Sequence, residues 1–292
     1  MKVLVTGATG HLGMPVCRTL QERGHEVRAV DQRHKPGLGV RLELADVRDE
    51  LTVYRLLDGM DAVVHLANHP NPNAGPSPAT LLSDNVAMNT NVFMAAHDLG
   101  VSRIVFSSTI QVMLTFGWPR SKAPPFQIPY LPLDGDCPPN TATNPYALSK
   151  LFGEQLLKQL VESRRDLCAT VLRYPMLLSE LQRDRWFPKP VAKLHVDAVD
   201  FYELTAHLML DDAAELVAAA LEREAPGYHQ YFPAQTFDLV DYDPARLIRE
   251  FYPHVSLRRP IEAMTNLIDL AAVRLALGWE PKQRIRAEII PR

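Results

Sequence analysis

KVLVTGATGHLG, residues 2–13, runs from a β-branched apolar segment through three glycines into a segment of helical period. Lys2–Thr6 reads as a strand. His11–Arg23 reads as a helix, with Leu12, Val16 and Leu20 on one face and Gly24 as a left-handed C-terminal cap. Gly7, Gly10 and Gly13 occupy the turn between them. A side chain there would block the tight turn, the approach of a phosphate, or the close packing of helix on strand, and the helix N-terminus behind the turn is positively polarised. The arrangement suits a dinucleotide pyrophosphate. A second strand, Glu26–Asp31, ends on an acid at the distance where a carboxylate accepts from ribose hydroxyls and repels a 2'-phosphate, which favours NAD. Arg33, two residues later, could pair with a 2'-phosphate and keeps NADP open.

Outward from this turn, Ala62–Ala67, Arg103–Ser108 and Ala169–Tyr174 read as strands, with Val40–Leu44 a weaker one, and helical segments fill the gaps. That alternation predicts an α/β fold, a Rossmann-type doubly wound parallel sheet covered on both faces. One helix starts at Asn144 as N-cap with Pro145 at N1, and its spacing predicts burial of Leu148, Leu151, Phe152, Leu156 and Leu160. Beyond Tyr174 the rhythm is irregular, and Leu208–Leu221 is the clearest helix. The expected division is a dinucleotide-binding domain over 1–175, carrying the catalytic residues, and a region over 176–292 that is mainly a small C-terminal substrate-binding lobe able to return elements to the core. Two proline-rich stretches, Asn68–Thr80 and Trp118–Pro145, follow strands and should wall a pocket. Trp118, Phe126 and Tyr130 are candidate lining residues, and Arg173, Arg185 and Lys189 could meet a substrate anion.

The 292 residues are 47% apolar and 22% charged, with 31 basic against 34 acidic side chains, so no global field exists to hold a polyanion, which argues against nucleic acid as the main partner. No apolar run approaches the roughly 18 residues of a membrane span, and the sequence opens on a strand rather than a signal segment. Cys17, Cys137 and Cys168 are too scattered for a zinc site or disulfide framework, which points to a reducing cytoplasm. His65 and His69 lie on a strand and the following loop with no third ligand, so no metal is expected.

These motifs together resemble the extended short-chain dehydrogenases/reductases of the NAD-dependent epimerase/dehydratase family, over nearly the whole length. The matching pieces are TGATGHLG, the acid and valine of ADV (Asp46, Val47), AVVHLA, Asn85 in DNVAMNTNV, IVFSST, YALSK and the C-terminal IDLAAVRLALGWEPK. The resemblance implies NAD contacts from Gly7, Thr9, Gly10, His11, Leu12, Gly13, Asp31, Gln32, Asp46, Val47, Leu66, Ala67, Asn68, Asn85, Ser107, Tyr146, Lys150 and Tyr174. It also implies a homodimer through helices near Val86–Leu99 and Tyr146–Val161.

Tyr146 and Lys150 are four residues apart and so share a helix face. A tyrosine of ordinary pKa near 10 is a poor base, and the neighbouring ammonium is expected to lower it, aided by the helix N-terminus. By resemblance Thr109 is the catalytic hydroxyl that holds the substrate oxygen, with Ser108 as the fallback, and Lys150 also bonds the nicotinamide ribose. Tyr146 would take a hydroxyl proton while a hydride leaves the same carbon. Ile110 and Gln111 follow Thr109 where the family's dehydratases carry two acids, which argues against dehydration. LRYPMLLSE places Met176 near the position of a nucleotide-sugar asparagine, and LTAHLMLDD lacks a diphosphate-binding arginine. The expected substrate is a small carbohydrate or carbonyl compound (a sugar or sugar acid), undergoing NAD-linked dehydrogenation or reduction. Nucleotide-sugar 4-epimerisation with retained NAD is the alternative. A non-catalytic NAD(P)-binding regulator is a third, disfavoured by the intact Thr109, Tyr146 and Lys150.

Overall fold

The structure, a computed structural model, describes residues 1–75, 77–114, 128–139, 144–195 and 203–290. Trp118 and Phe126 lie outside the described residues. In chain order the first elements are β1 (Lys2–Thr6), α1 (Gly13–Glu22), β2 (Glu26–Asp31), β3 (Leu42–Leu44), α2 (Glu50–Leu57), β4 (Ala62–His65), α3 (Pro78–Asp98) and β5 (Arg103–Thr109). There follow β6 (Tyr130–Leu131), α4 (Pro145–Ser163), β7 (Cys168–Tyr174), β8 (Met176–Leu178), α5 (Glu180–Trp186), β9 (Ala192–His195), β10 (His207–Met209), α6 (Leu210–Arg223) and β11 (Gly227–Tyr231). Seven strands form one parallel sheet in the order β11-β7-β5-β4-β1-β2-β3. Strand order reverses between β1 and β4, and the carboxyl ends at that switch point open the crevice where doubly wound sheets take ligands.

Local chemistry explains where elements begin and end. The strand expected over Ala62–Ala67 stops at His65: Leu66 N is shared between Thr6 O at 3.2 Å and the Thr6 hydroxyl at 3.3 Å, and Ala67 N turns to that hydroxyl at 3.3 Å. The first helix starts at Gly13 rather than His11, since Gly10 N closes on Gly7 O at 3.0 Å and holds the loop out of helical register. Gly24 has φ +79°, as a left-handed cap requires. The N-terminus of α4 follows the sequence reading: Asn144 Oδ1 accepts from Tyr146 N at 2.9 Å, with Pro145 in the first turn.

Two further features differ from the sequence reading. The buried face of α4 is Tyr146, Ser149, Lys150, Gly153, Glu154, Leu157 and Leu160, while Phe152 is 46% exposed and Leu148, Leu151 and Leu156 are half-buried. The helix turns its chemistry inward and leaves apolar residues outside. The helix read over Leu208–Leu221 begins at Leu210, because His207–Met209 pairs as a strand with Met176–Leu178. The segment after Tyr174 also rejoins the core: α6 packs against α1 and β11 pairs with β7. No helix among the described residues is long and apolar enough to cross a membrane.

Candidate active site

The glycine loop is shaped by what cannot fit there. Gly7 has φ +68°, and a Cβ on it would stand 2.8 Å from Ala67 N. A Cβ on Gly13 would stand 2.1 Å from Gly7 O. Asp31, at the end of β2, secures this loop from the side: its Oδ2 accepts from Thr9 N at 3.0 Å and its Oδ1 from Arg33 N at 3.2 Å.

One cavity of about 1330 Å³ runs along the carboxyl ends of the strands. Gly7, Thr9, Gly10, His11, Leu12 and Gly13 line it, with Asp31, Gln32 and Val47 at one end. Leu66, Ala67 and Asn68 lie along its length, and Ser107, Thr109, Tyr146, Lys150 and Tyr174 at the other. The loop after β4 contributes His69, Pro70, Asn71 and Ala74, so the first proline-rich stretch walls the pocket as expected. Two polar atoms buried on this wall, Tyr174 Oη and Asn68 Oδ1, have no protein hydrogen-bond partner. Unpaired buried polar atoms are costly, so they suit a site that takes a polar ligand. The glycine cradle, the strand-end acid and these orphaned atoms all fit a dinucleotide.

At the far end, β5 delivers Thr109 and α4 delivers Tyr146 and Lys150. The Thr109 hydroxyl neighbours the Tyr146 phenol and favours its anion, while Ser108, which also lines the cavity, commits its hydroxyl to Glu154 at 2.5 Å. Thr109 is therefore the hydroxyl placed beside Tyr146. Lys150 Nζ donates to Ser107 O at 2.7 Å and lies 5.8 Å from the Tyr146 ring centroid. Burial lowers the Lys150 amine to about 7, opposed by Glu154 one turn along the helix. Burial pushes the Tyr146 phenol up to about 12, opposed by the Thr109 hydrogen bond. The expectation of a phenol already acidified by Lys150 is thus not met in this arrangement, because desolvation outweighs the neighbouring groups and the amine is itself only partly charged near neutrality.

Several candidates occupy other positions. Asp46 does not line the cavity; Arg48 holds it with Nη2 2.7 Å from Oδ2 and keeps its carboxyl below the usual range. Asn85 is wholly buried behind the wall, where it accepts from His69 N at 2.7 Å and donates to Ser149 Oγ at 3.1 Å, so it supports the site without facing it. Arg173 is 1% exposed and locked to Glu154, out of reach of any substrate. Arg185 and Lys189 are exposed away from the cavity. Tyr130 donates to Asp134 at 2.7 Å beneath the Arg258 guanidinium, outside the pocket. Lining residues that sequence reasoning missed include Arg48, Gln111 and Glu203. Gln111 was legible, since it follows Thr109 directly, and its Oε1 accepts from the cap residue Asn144 at 2.9 Å. Glu203 lies in an irregular stretch with no motif to mark it.

A seven-stranded parallel sheet with a glycine cradle after β1 and a Thr/Tyr/Lys cluster across the crevice defines a Rossmann-type scaffold of the dehydrogenase/reductase class. The chain belongs to the NAD dependent epimerase/dehydratase family, whose model matches residues 3–231. It is 33% identical to 2-alkyl-3-oxoalkanoate reductase of Stenotrophomonas maltophilia over 181 residues, covering 61% of this chain and 51% of that protein. It is 32% identical to L-arabinose 1-dehydrogenase (NAD(P)(+)) of Haloferax volcanii over 155 residues, covering 53% and 59%. The chain thus spans between half and three-fifths of the length of these relatives. Among solved structures it superposes on UDP-glucose 4-epimerase from Bifidobacterium longum, in complex with NAD+ and UDP, with a TM-score of 0.71 and 20% identity, covering 98% of this chain and 95% of that one.

Proposed function

We propose that this protein is an NAD-dependent oxidoreductase that transfers a hydride to or from a hydroxyl or carbonyl carbon of a sugar, sugar acid or related small carbonyl compound. The observation that carries this reading is the opening of the glycine cradle and the Thr109, Tyr146 and Lys150 cluster onto one cavity. The relatives support the class, one being named a reductase and the other a sugar dehydrogenase. Residues 1–175 hold the dinucleotide and the catalytic groups, and 176–292 mainly shape the substrate end, with Met176, Leu177 and Glu203 on the cavity wall.

When bound, NAD supplies the hydride acceptor, or its reduced form the donor. The chain's own residues handle the proton and the geometry. The Thr109 hydroxyl neighbours the Tyr146 phenol on the wall of one cavity, so a substrate oxygen held there meets both. With its phenol near 12, Tyr146 carries a proton at neutral pH and is ready to give it to a carbonyl oxygen in reduction. In oxidation it must act as phenolate. A charged Lys150, with Nζ 5.8 Å from the Tyr146 ring centroid, favours that anion. Lys150 therefore matters most in the oxidative direction. Asp31 receives the adenine ribose, and its negative charge favours NAD over NADP.

We assign the outer faces of α3 and α4 to a homodimer contact, supported by Phe152 at 46% and Met94 at 37% exposure on those helices. A reducing cytoplasm suits three unpaired buried thiols.

The test is incubation with NAD and, separately, NADP, against free sugars, sugar acids, small hydroxy compounds and UDP-hexoses, following reduced dinucleotide by absorbance and sugars by NMR. Formation of NADH with one of the small compounds is the expected result. Interconversion of UDP-hexose epimers without net redox change would assign the epimerase chemistry instead. NAD binding with no turnover on any compound would overturn the enzymatic reading.

A further inference from the structure

Behind the cavity wall, a file of buried polar side chains joins the glycine loop to the catalytic helix. Thr6, immediately before Gly7, is fully buried; His65 at the end of β4 is 1% exposed and Asn89 in mid-α3 is 2% exposed. Thr6 Oγ1 accepts from the Leu66 and Ala67 amides and lies 2.8 Å from His65 Nδ1. His65 Nε2 lies 3.0 Å from Asn89 Oδ1, which also accepts from Asn68 Nδ2 at 3.1 Å. Asn89 Nδ2 donates to Ser149 O at 3.1 Å, and Ser149 Oγ donates to Tyr146 O at 2.7 Å.

Counting donors and acceptors fixes the direction of this file. Ser149 O orients the Asn89 amide so that its oxygen faces His65 Nε2, and the Thr6 hydroxyl, whose oxygen accepts from Ala67 N and from Leu66 N shared with Thr6 O, has its own proton left for His65 Nδ1. Nδ1 is then a bare acceptor, and Nε2 carries the ring proton and gives it to the Asn89 oxygen. The opposite tautomer would set N–H against O–H at one end and two acceptors against each other at the other. The ring is stacked on Phe106 at 5.9 Å and meets Phe93 edge-on at 5.4 Å. Among the groups packed around it, from β1, α3, β5 and α4, Lys150 is the charged one acting on it. Burial and that ammonium lower the imidazole to about 3 and keep it neutral.

We propose that His65 is a positioning residue: as the neutral Nε2–H tautomer it ties the dinucleotide-binding loop, through Thr6 and Asn89, to the turn of α4 that carries Tyr146 and Lys150. The hydrogen-bond polarity stands independently of the reaction, whereas the consequence for turnover rests on the function proposed above. A neutral, fully satisfied relay transmits geometry without titrating, which a solvated contact could not do. Replacing it by apolar groups of the same shape would leave the core filled and the register unset.

The test uses the full-length protein labelled with ¹⁵N in its histidine rings. One imidazole should show the shifts of the neutral Nε2–H form, unchanged from about pH 5 to 8. Its Nδ1 resonance should move in Thr6→Val and return in Thr6→Ser, which restores the hydroxyl. Amide exchange over 144–150 should quicken in Thr6→Val and in Asn89→Leu and match wild type in Thr6→Ser. Turnover should fall about tenfold in the first two, the effect of losing roughly one hydrogen bond's positioning, with NAD affinity within about twofold of wild type. An Nδ1–H or titrating ring, or a lost relay signature with unchanged exchange at 144–150, would overturn the proposal. Absence of any turnover in wild type with the predicted ring signature and exchange pattern would instead count against the proposed function alone.

Discussion

Arg173→Met removes the cation from the most deeply buried ion pair described. Arg173 Nη2 and Nε meet the two Glu154 oxygens at 2.7 and 3.0 Å, with both side chains at most 2% exposed. Nη1 also donates to Cys137 O at 2.6 Å and Gly135 O at 3.2 Å, which ties α4 and β7 to the 134–138 loop. Removing one partner strands a carboxylate out of water, which costs about 3–5 kcal/mol. Gly135 O keeps a donor in Gln230 Nε2 at 2.6 Å, so the Cys137 carbonyl is the main further loss, about 1 kcal/mol. The total is about 4–6 kcal/mol, or a fall in Tm of roughly 10 °C for a chain of this size. Urea and thermal denaturation would measure it. The Glu154→Leu/Arg173→Met double variant removes both charges of the pair together and should recover most of the loss. Breaking the exposed Arg18–Asp211 pair, with both side chains more than half exposed, should change nothing measurable. Wild-type stability in Arg173→Met, or a double variant no better than the single, would refute the reasoning.

Gly13→Ala sets a Cβ 2.1 Å from Gly7 O, so the loop must open and NAD affinity should fall about 10- to 100-fold in a fluorescence titration. Asp31→Asn keeps an acceptor for Thr9 N but removes the charge. Titrating both dinucleotides should show NAD weakened about tenfold and the preference over NADP narrowed. Buried groups shape the pH dependence of stability, among them His65, His207 (lowered to about 4 by burial) and Lys150. His65 near 3 in the fold, against 6.5 when exposed, leaves the unfolded chain with the extra proton in that window, so stability falls as pH drops from about 6.5 towards 3. Lys150 near 7, against 10.5, likewise leaves the unfolded chain more protonated above neutrality, so stability rises with pH from about 7 to 10.5. Urea midpoints across pH should show both limbs, and Lys150→Met should flatten the upper one.

The elements written into local chemistry were legible from the residues alone. The β1 and β2 bounds follow from apolar runs closed by turn residues, the glycine loop from steric exclusion, and the start of α4 from its Asn-Pro cap. Thr109, Tyr146 and Lys150 were legible as a resemblance, and the structure brings them into one cavity. What could not be read depends on distant partners. The inner face of α4 defies its hydrophobic pattern because Glu154 finds Arg173 on another strand, and Phe152 is left outside. Arg173 seemed available for substrate until β7 placed it beside that carboxylate. Asp46 and Asn85 carry plausible side chains, yet Arg48 captures one and His69 and Ser149 the other. The return of β11 to the sheet is a long-range pairing that no local period announces.

The most direct test of the account is Tyr146→Phe, which deletes one oxygen and leaves the glycine cradle intact. NAD affinity should be unchanged, while turnover on the compound identified with wild-type protein should fall about 10²- to 10⁴-fold. Turnover within a few-fold of wild type would show that the proton is handled elsewhere and would contradict the central claim.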